Sequence, residues 1–131
     1  MSDHPDAAVV RSAYEALSRG YMASFAGHLH EDIVWHESAP DMEGDYIGRD
    51  ETLAFLGRVF QESGPEMTSM EIHHILASDD HVVIMHEDTM TMGGGSLTAK
   101  YVDVYHVRDH KLAEHRHLAL DSKADEAFMV G

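Results

Sequence analysis

Cysteine is absent from the sequence, basic residues are scarce, and long apolar runs are missing. Without cysteine there are no thiolate nucleophiles, zinc–thiolate sites or disulfides, so histidine, aspartate, glutamate and tyrosine must carry any chemistry. Nine Lys and Arg stand against 24 Asp and Glu, which gives a net charge of −15 with histidine neutral. That charge argues against nucleic acid or an anionic membrane as a partner. No stretch approaches the roughly 18 apolar residues of a membrane span, and the N-terminus lacks a basic, apolar leader. We therefore expect a cytoplasmic protein.

Hydrophobic spacing divides the chain into a helical first part and a strand-rich second part. The first part predicts helices over residues 6–19, 21–29 and 51–62, the last capped by Asp50, and a strand over residues 33–38. The second part predicts four strands joined by hairpin turns, over residues 67–78, 81–92, 96–107 and 111–120. The 131 residues are expected to form one α+β domain, with the helices on one face of the sheet.

Alternation along the four predicted strands separates a mixed polar face from an aliphatic face. The mixed face carries His86, Asp88, Met90, Tyr101, Asp103, Tyr105, His115, His117 and Asp121. The opposite face carries Val83, Met85, Val102, Val104, His106, Leu118 and Leu120. An aliphatic face of this width is rarely left to solvent. If the helices cover the mixed face, we expect a second copy of the chain to cover the aliphatic face in a homodimer.

Three segments of the chain resemble a known superfamily. They are "VVRSAYEALSRGYMASFAGHLHEDIVWHE", followed by "YIGRD" at the start of the third helix, and "YVDVYHVRDHKLAEHRHLALD" in the last two strands. Together they resemble the SnoaL-like and ketosteroid-isomerase-like branch of the nuclear transport factor 2-like superfamily. The resemblance implies a cone-shaped fold, in which a curved, mainly antiparallel sheet wraps around three N-terminal helices. It also implies an apolar pocket at the open end and dimers through the opposite sheet face.

The resemblance implies roles for two carboxyl groups. In the isomerases, a carboxylate at the end of the first strand is the general base, and Glu37 in "DIVWHE" matches it. Trp35 lies on the same strand face and would pack against the substrate. A second carboxylic acid donates a hydrogen bond to the developing enolate, and Asp103 matches it. The isomerases complete this set with a tyrosine of the first helix. Counting back from the end of that helix places Ala13 there and turns Tyr14 about 100° away.

Other members of the branch suggest further candidates. SnoaL-like cyclases use an aspartate that closes the last strand for acid–base chemistry in an aldol ring closure, and Asp121 resembles it. Scytalone-dehydratase-like relatives use two pocket histidines, which His86 and His115 resemble. Asp121 and His115 are therefore predicted to form a second acid–base pair near the pocket mouth. The predicted substrate-binding residues are Trp35, His86, Asp88, Met90, Tyr105 and His117.

These residues support more than one function. Carboxylates and imidazoles that face one another in an apolar pocket push their pKa values apart. This favours a cofactor-independent enzyme that moves a proton on a small apolar carbonyl compound, in an isomerisation, cyclisation or dehydration. The alternative is a non-catalytic dimer that binds a small molecule in the same pocket. The spacing of His115 and His117, with a nearby carboxylate, also suits a metal ion. However, local histidine pairs recur elsewhere in the chain, and we expect no metal and no cofactor.

Overall fold

The computed structural model describes residues 4–37, 43–59, 66–121 and 123. The helices in these parts of the chain are α1 (Pro5–Ser18), α2 (Met22–Gly27) and α3 (Arg49–Gly57). The strands are β1 (Leu29–Glu37), β2 (Gly44–Ile47), β3 (Glu66–Ala77), β4 (Val82–Met92), β5 (Gly95–Arg108) and β6 (Lys111–Ala119). None of the described helices is long and apolar enough to cross a membrane.

The strands form one curved sheet in the order β2-β1-β6-β5-β4-β3. Neighbouring strands are antiparallel except for β1 and β6, which are parallel. The edge strands β2 and β3 do not pair with each other, so the sheet stays open. The predicted α+β fold, a curved and mainly antiparallel sheet with N-terminal helices, is confirmed.

Tight turns produce the meander from β4 to β6. Gly93 and Gly94 join β4 to β5 with φ values of 59° and 83°. Asp109 and His110 join β5 to β6 with φ values of 55° and 61°. Positive φ at both central residues matches the twist of the flanking strands, and aspartate tolerates that conformation better than most residues. The strands β3 to β6 begin and end within one residue of the prediction.

The helices pack against the inner, concave face of the sheet. The side chains of Val10, Ala13 and Tyr14 in α1 are buried there, and α1 contacts β3, β4 and β6. Burial in β4 alternates from Val82 to Met90, so every second residue points inward. The inward residues of β4 include His86, Asp88 and Met90 of the predicted mixed polar face.

The first part of the sheet differs from the prediction. Helix α2 ends at Gly27, and β1 begins at Leu29 rather than at residue 33. The reason is tertiary pairing: Leu29 pairs with Leu112 of β6, whose N–H donates to the carbonyl of His28 at 2.8 Å. Strand β2 was missed entirely. It has only four residues and no apolar alternation, and it forms because it pairs with β1.

Helix α3 begins two residues earlier than predicted. Gly48, with a φ of 91°, is its N-cap, so Asp50 is not the cap but lies in the first turn. A carboxylate there still interacts favourably with the positive end of the helix dipole. The predicted end of this helix at residue 62 lies outside the described residues.

Candidate active site

A cavity of about 120 Å³ lies between the inner sheet face, α1 and α3. Its apolar lining consists of Leu17, Trp35, Phe55, Leu56, Val59, Met67, Met70 and Met90. Its polar lining consists of Tyr14, Glu37, His86, Asp88, Asp103, Tyr105, His115 and His117. The polar residues come from one helix and four strands, so the curvature of the sheet brings together groups that are far apart in sequence.

All of the predicted site residues except Asp121 line this cavity. Asp121 is exposed and lies beyond the end of β6 at Ala119. The alternation that placed Asp121 on the inner face holds only while the chain is extended. The structure does not place Asp121 among the cavity residues, where His115 is buried, and the acid–base pair of Asp121 with His115 stays a prediction.

Asp103 lies at the centre of a buried hydrogen-bond network. Its Oδ2 accepts from the Tyr14 hydroxyl and, at 2.9 Å, from Nε2 of His86, and its Oδ1 accepts from Nδ1 of His117. Burial by itself raises the pKa of this carboxyl group, but His117 and His86 hold the pKa well below its usual value. Asp103 is therefore an ionised acceptor, which differs from the donor role that the resemblance implied.

His86 bridges two buried carboxylates. Its Nδ1 donates to Oδ1 of Asp88 at 2.7 Å, while its Nε2 donates to Asp103. Burial lowers the pKa of the imidazole, but the hydrogen bonds to Asp103 and Asp88 outweigh that effect and raise the pKa to about 9. His86 is thus an imidazolium at neutral pH, and its positive charge offsets part of the negative charge in the network.

Tyr14 belongs to the same network, contrary to the prediction that it points away. Its hydroxyl donates to Asp103 and accepts, at 2.6 Å, from the hydroxyl of Tyr105. Burial raises the pKa of both phenols well above the usual value, and the charge of Asp103 adds to the effect. The prediction failed because α1 lies inside the curved sheet, where both Ala13 and Tyr14 are buried.

His115 differs from its neighbours. Its ring stacks on Trp35, with centroids 3.5 Å apart and an angle of 19° between the planes. Its Nε2 is 4.0 Å from Oδ2 of Asp103, too far for a hydrogen bond. Burial lowers the pKa of this imidazole to about 3. His115 is therefore neutral across the physiological range, while His86 beside it is charged.

Glu37 and His117 lie at the more accessible part of the cavity wall. Glu37 is the last residue of β1 and is half-buried, and the side chain of His117 is 28% exposed. Burial lowers the pKa of His117, but Asp103 outweighs burial, and Glu37 adds to the net upward shift. A carboxylate and a histidine that favours its proton thus face the same space.

Some of these donor atoms also suit a metal ion. Those of His86, Asp103 and His117 all lie within 4.8 Å of one another, as do those of Glu71, His73 and Glu87 on strands β3 and β4. In the first set, the histidine nitrogens already donate to Asp103.

Sequence reasoning missed several residues of the cavity. They are Tyr14, Leu17, Phe55, Leu56 and Val59. Leu56 lies on an apolar stripe that hydrophobic spacing predicts for the third helix. Such a stripe predicts burial, but it does not show which part of the core a residue reaches.

Comparisons with known proteins agree with this architecture. The family model described as "SnoaL-like domain" matches residues 10–115. Bal32a, from a soil-derived mobile gene cassette, is 28% identical, with 95% of this chain and 96% of that chain covered and a TM-score of 0.84. A nuclear transport factor 2-like protein of unknown function from Burkholderia pseudomallei K96243 is 21% identical, with 98% and 100% covered and a TM-score of 0.81.

A more distant solved structure is a putative polyketide cyclase from Xanthomonas campestris pv. campestris. It is 17% identical, with 95% of this chain and 96% of that chain covered and a TM-score of 0.77. No curated protein matches the chain significantly. Because the family model spans most of the sequence and the solved structures share the fold, the chain belongs to the SnoaL-like domain family and has a nuclear transport factor 2-like fold.

Proposed function

We propose that the protein is a cofactor-independent acid–base enzyme acting on a small apolar carbonyl compound. The observation that supports this most is the shared cavity wall, where Glu37 and His117 meet a buried network of charged and hydrogen-bonded groups within an otherwise apolar lining. The reaction class is proton abstraction beside a carbonyl. The proton then returns to a carbon in an isomerisation, goes to the oxygen of a second carbonyl that the enolate carbon has attacked in a cyclisation, or goes to a hydroxyl group that leaves as water in a dehydration.

In this proposal Glu37 is the general base. It removes a proton from the carbon next to the carbonyl, and the C–H electron pair moves to form an enolate. A general base needs access to the substrate and an ionised state at working pH. Glu37 lines the cavity at the end of a strand and is only half-buried, which supports its access to the substrate.

His117 is the proposed acid. Its Nδ1 donates to Asp103, and its pKa is raised because Asp103 outweighs burial. In the protonated imidazole Nε2 also carries a proton, which can stabilise the enolate oxygen. In an isomerisation, Glu37 then returns its proton to a carbon of the substrate, which balances the reaction without a cofactor. Asp103 keeps His117 and His86 protonated, Tyr14 donates to Asp103, and Tyr105 donates to Tyr14.

The test is hydrogen exchange on 2-cyclohexen-1-one in D₂O, followed by proton NMR. We expect the protein to accelerate exchange beside the carbonyl and Glu37→Gln to slow it by about 10² or more. Glu114→Gln is the matched control, because Glu114 lies on β6 but does not line the cavity. Equal rates for Glu37→Gln and the native protein would remove Glu37 from the mechanism.

A non-catalytic binding protein is the second candidate. The observation that favours it is the complete pairing of Asp103, whose two oxygens already accept three hydrogen bonds. In that case the same ketone would bind with measurable affinity while the native protein produced no exchange above the buffer rate.

We also propose a homodimer through the outer sheet face. Leu76, Leu118 and Leu120 on this side are 62%, 57% and 59% exposed, more than an isolated sheet face usually leaves to water. Sedimentation equilibrium is expected to give a dimer at micromolar concentration and a monomer for Leu118→Asp. A native monomer at that concentration would overturn the proposal.

A further inference from the structure

Two ring nitrogens among the cavity residues lack a hydrogen-bond partner: Nε1 of Trp35 and Nδ1 of His115. Both residues are buried, with exposures of 7% and 2%. One other buried side-chain atom in the described part of the chain is unpaired, the hydroxyl of Thr52, and Thr52 does not line the cavity. Buried polar groups are nearly always hydrogen-bonded. Two unpaired nitrogens on stacked rings therefore indicate a place for a ligand group.

The two nitrogens offer one donor and one acceptor. An indole N–H can only donate. His115 is neutral, because burial lowers its pKa to about 3, so one of its nitrogens carries a proton and the other accepts. Nε2 faces the charged Oδ2 of Asp103 at 4.0 Å, which favours the proton on Nε2 and leaves Nδ1 as the acceptor.

We propose that this pair binds an enolic or phenolic hydroxyl group on a flat, apolar ring. The hydroxyl oxygen accepts from Nε1 of Trp35, and the hydroxyl proton is donated to Nδ1 of His115. A ketone or ether oxygen can accept a hydrogen bond from the indole N–H, but it has no proton to donate to Nδ1 of His115. A carboxylate also lacks that proton, and Glu37, Asp88 and Asp103 along the same cavity repel it.

Size and shape agree with a single ring. The cavity of about 120 Å³ is close to a cavity of about 150 Å³ that holds benzene in another protein. Flat side chains, Trp35, Phe55 and Tyr105, line it. The inference deepens the proposed function and rests on it for its chemical meaning: with the enolate oxygen facing His117, this pair would hold a separate hydroxyl group of the same substrate.

The first test uses the native protein with phenol and toluene, which have nearly the same shape and differ by a hydroxyl and a methyl group. Trp35 is the only tryptophan in the chain, so its indole N–H gives one signal in a nitrogen-15 NMR spectrum. Saturating phenol is expected to shift this signal and slow its exchange with water more than toluene does. An indole signal that responds equally to the two probes would overturn the inference.

The second test compares phenol and toluene affinities by calorimetry in variants. Trp35→Phe and His115→Phe keep a flat ring but remove the nitrogen, so each is expected to lower the phenol-to-toluene affinity ratio at least tenfold. Phe55→Leu, a control in the same cavity without a polar atom, should leave the ratio unchanged. An unchanged ratio in both nitrogen-deleting variants would overturn the inference.

These tests separate the hydroxyl site from the proposed reaction. Glu37→Gln should lose hydrogen exchange on 2-cyclohexen-1-one while keeping the native phenol-to-toluene ratio. If Glu37→Gln retained full exchange while Trp35→Phe lost the ratio, the proposed general base would fail and the hydroxyl site would stand. If Glu37→Gln abolished hydrogen exchange while Trp35→Phe and His115→Phe left the phenol-to-toluene ratio unchanged, the general base would stand and the hydroxyl site would fail.

Discussion

Among the described residues, one side-chain arrangement occurs on both faces of the sheet. In the cavity, His86 donates to Asp88 at 2.7 Å and to Asp103 at 2.9 Å. On the outer side, His36 of β1 makes the same two contacts, with one carboxylate from β2 and one from β6. The distances are nearly equal, so hydrogen-bond geometry does not distinguish the two clusters.

Exposure distinguishes them. The side chains of His86, Asp88 and Asp103 are 3%, 10% and 4% exposed. Those of His36 and its partners Asp45 and Glu114 are 22%, 60% and 32% exposed.

The difference shows how burial strengthens the electrostatic effect of a common surface contact. Hydrogen bonds to Glu114 and Asp45 raise the pKa of His36, and His36 in turn lowers the pKa of Glu114, but solvent screens these charges. In the cavity solvent screens the same kinds of group much less, so their field can fix protonation states.

The largest difference between the clusters is expected when one carboxylate is neutralised. Asp103→Asn removes the charge that His86 and His117 face inside the protein, and leaving buried charges unpaired costs about 3–5 kcal/mol of unfolding free energy. Glu114→Gln on the outer side should cost about 1 kcal/mol or less. Urea denaturation at pH 7 measures both losses, and losses of equal size would contradict the comparison.

A change of pH is expected to have a smaller effect on the free energy of unfolding. The pKa of His86 is raised from 6.5 to about 9, so its contribution to stability is complete below pH 6.5 and is lost as the pH rises through 9. The shift corresponds to roughly 3 kcal/mol. The unfolding free energy of the native protein should therefore fall over this window.

The control for that prediction is a pair of variants. His86→Gln should remove most of the alkaline fall, with a remainder from His117, whose pKa is also raised. His36→Gln should change the slope only slightly. A native profile that is flat between pH 6.5 and pH 9 would contradict the assigned charge of His86.

The smallest expected effect is that of salt on the stability cost of replacing each histidine. Raising the ionic strength from about 0.1 M to 1 M shortens the screening length from about 10 Å to about 3 Å. The stability cost of His36→Gln, about 0.5 kcal/mol at low salt, should shrink towards zero, whereas the cost of His86→Gln should hardly change. Equal salt dependence of the two costs, measured by urea denaturation, would place both clusters in the same dielectric environment.

Much of the fold was predictable because alternation in the meander is a local signal. A strand that is buried on one side must repeat every two residues, and β3 to β6 do so with few irregularities. Strand β2 and the start of β1 were not predictable from local pattern. Their residues become strands because they pair with distant partners, such as Leu29 with Leu112 and Trp35 with Tyr46.

The site residues also divide into those that local pattern predicts and those that depend on the tertiary structure. Alternation placed His86, Asp103 and His115 on one face, and the structure has all three buried there. It also placed Asp121 on that face, whereas the strand ends at Ala119 and Asp121 is exposed. It also failed for Tyr14, since a helix enclosed by a curved sheet is buried over more than one stripe, and a rotation of about 100° does not take a side chain out of the interior.

The most direct test of the account is a histidine-by-histidine NMR titration of the native protein. The account predicts that His86 keeps protons on both ring nitrogens at pH 8 and loses one with a midpoint near 9, while His115 stays neutral down to about pH 3. If His86 and His115 both titrated near the ordinary pKa of about 6.5, the buried network would not control protonation, and the central claim would be contradicted.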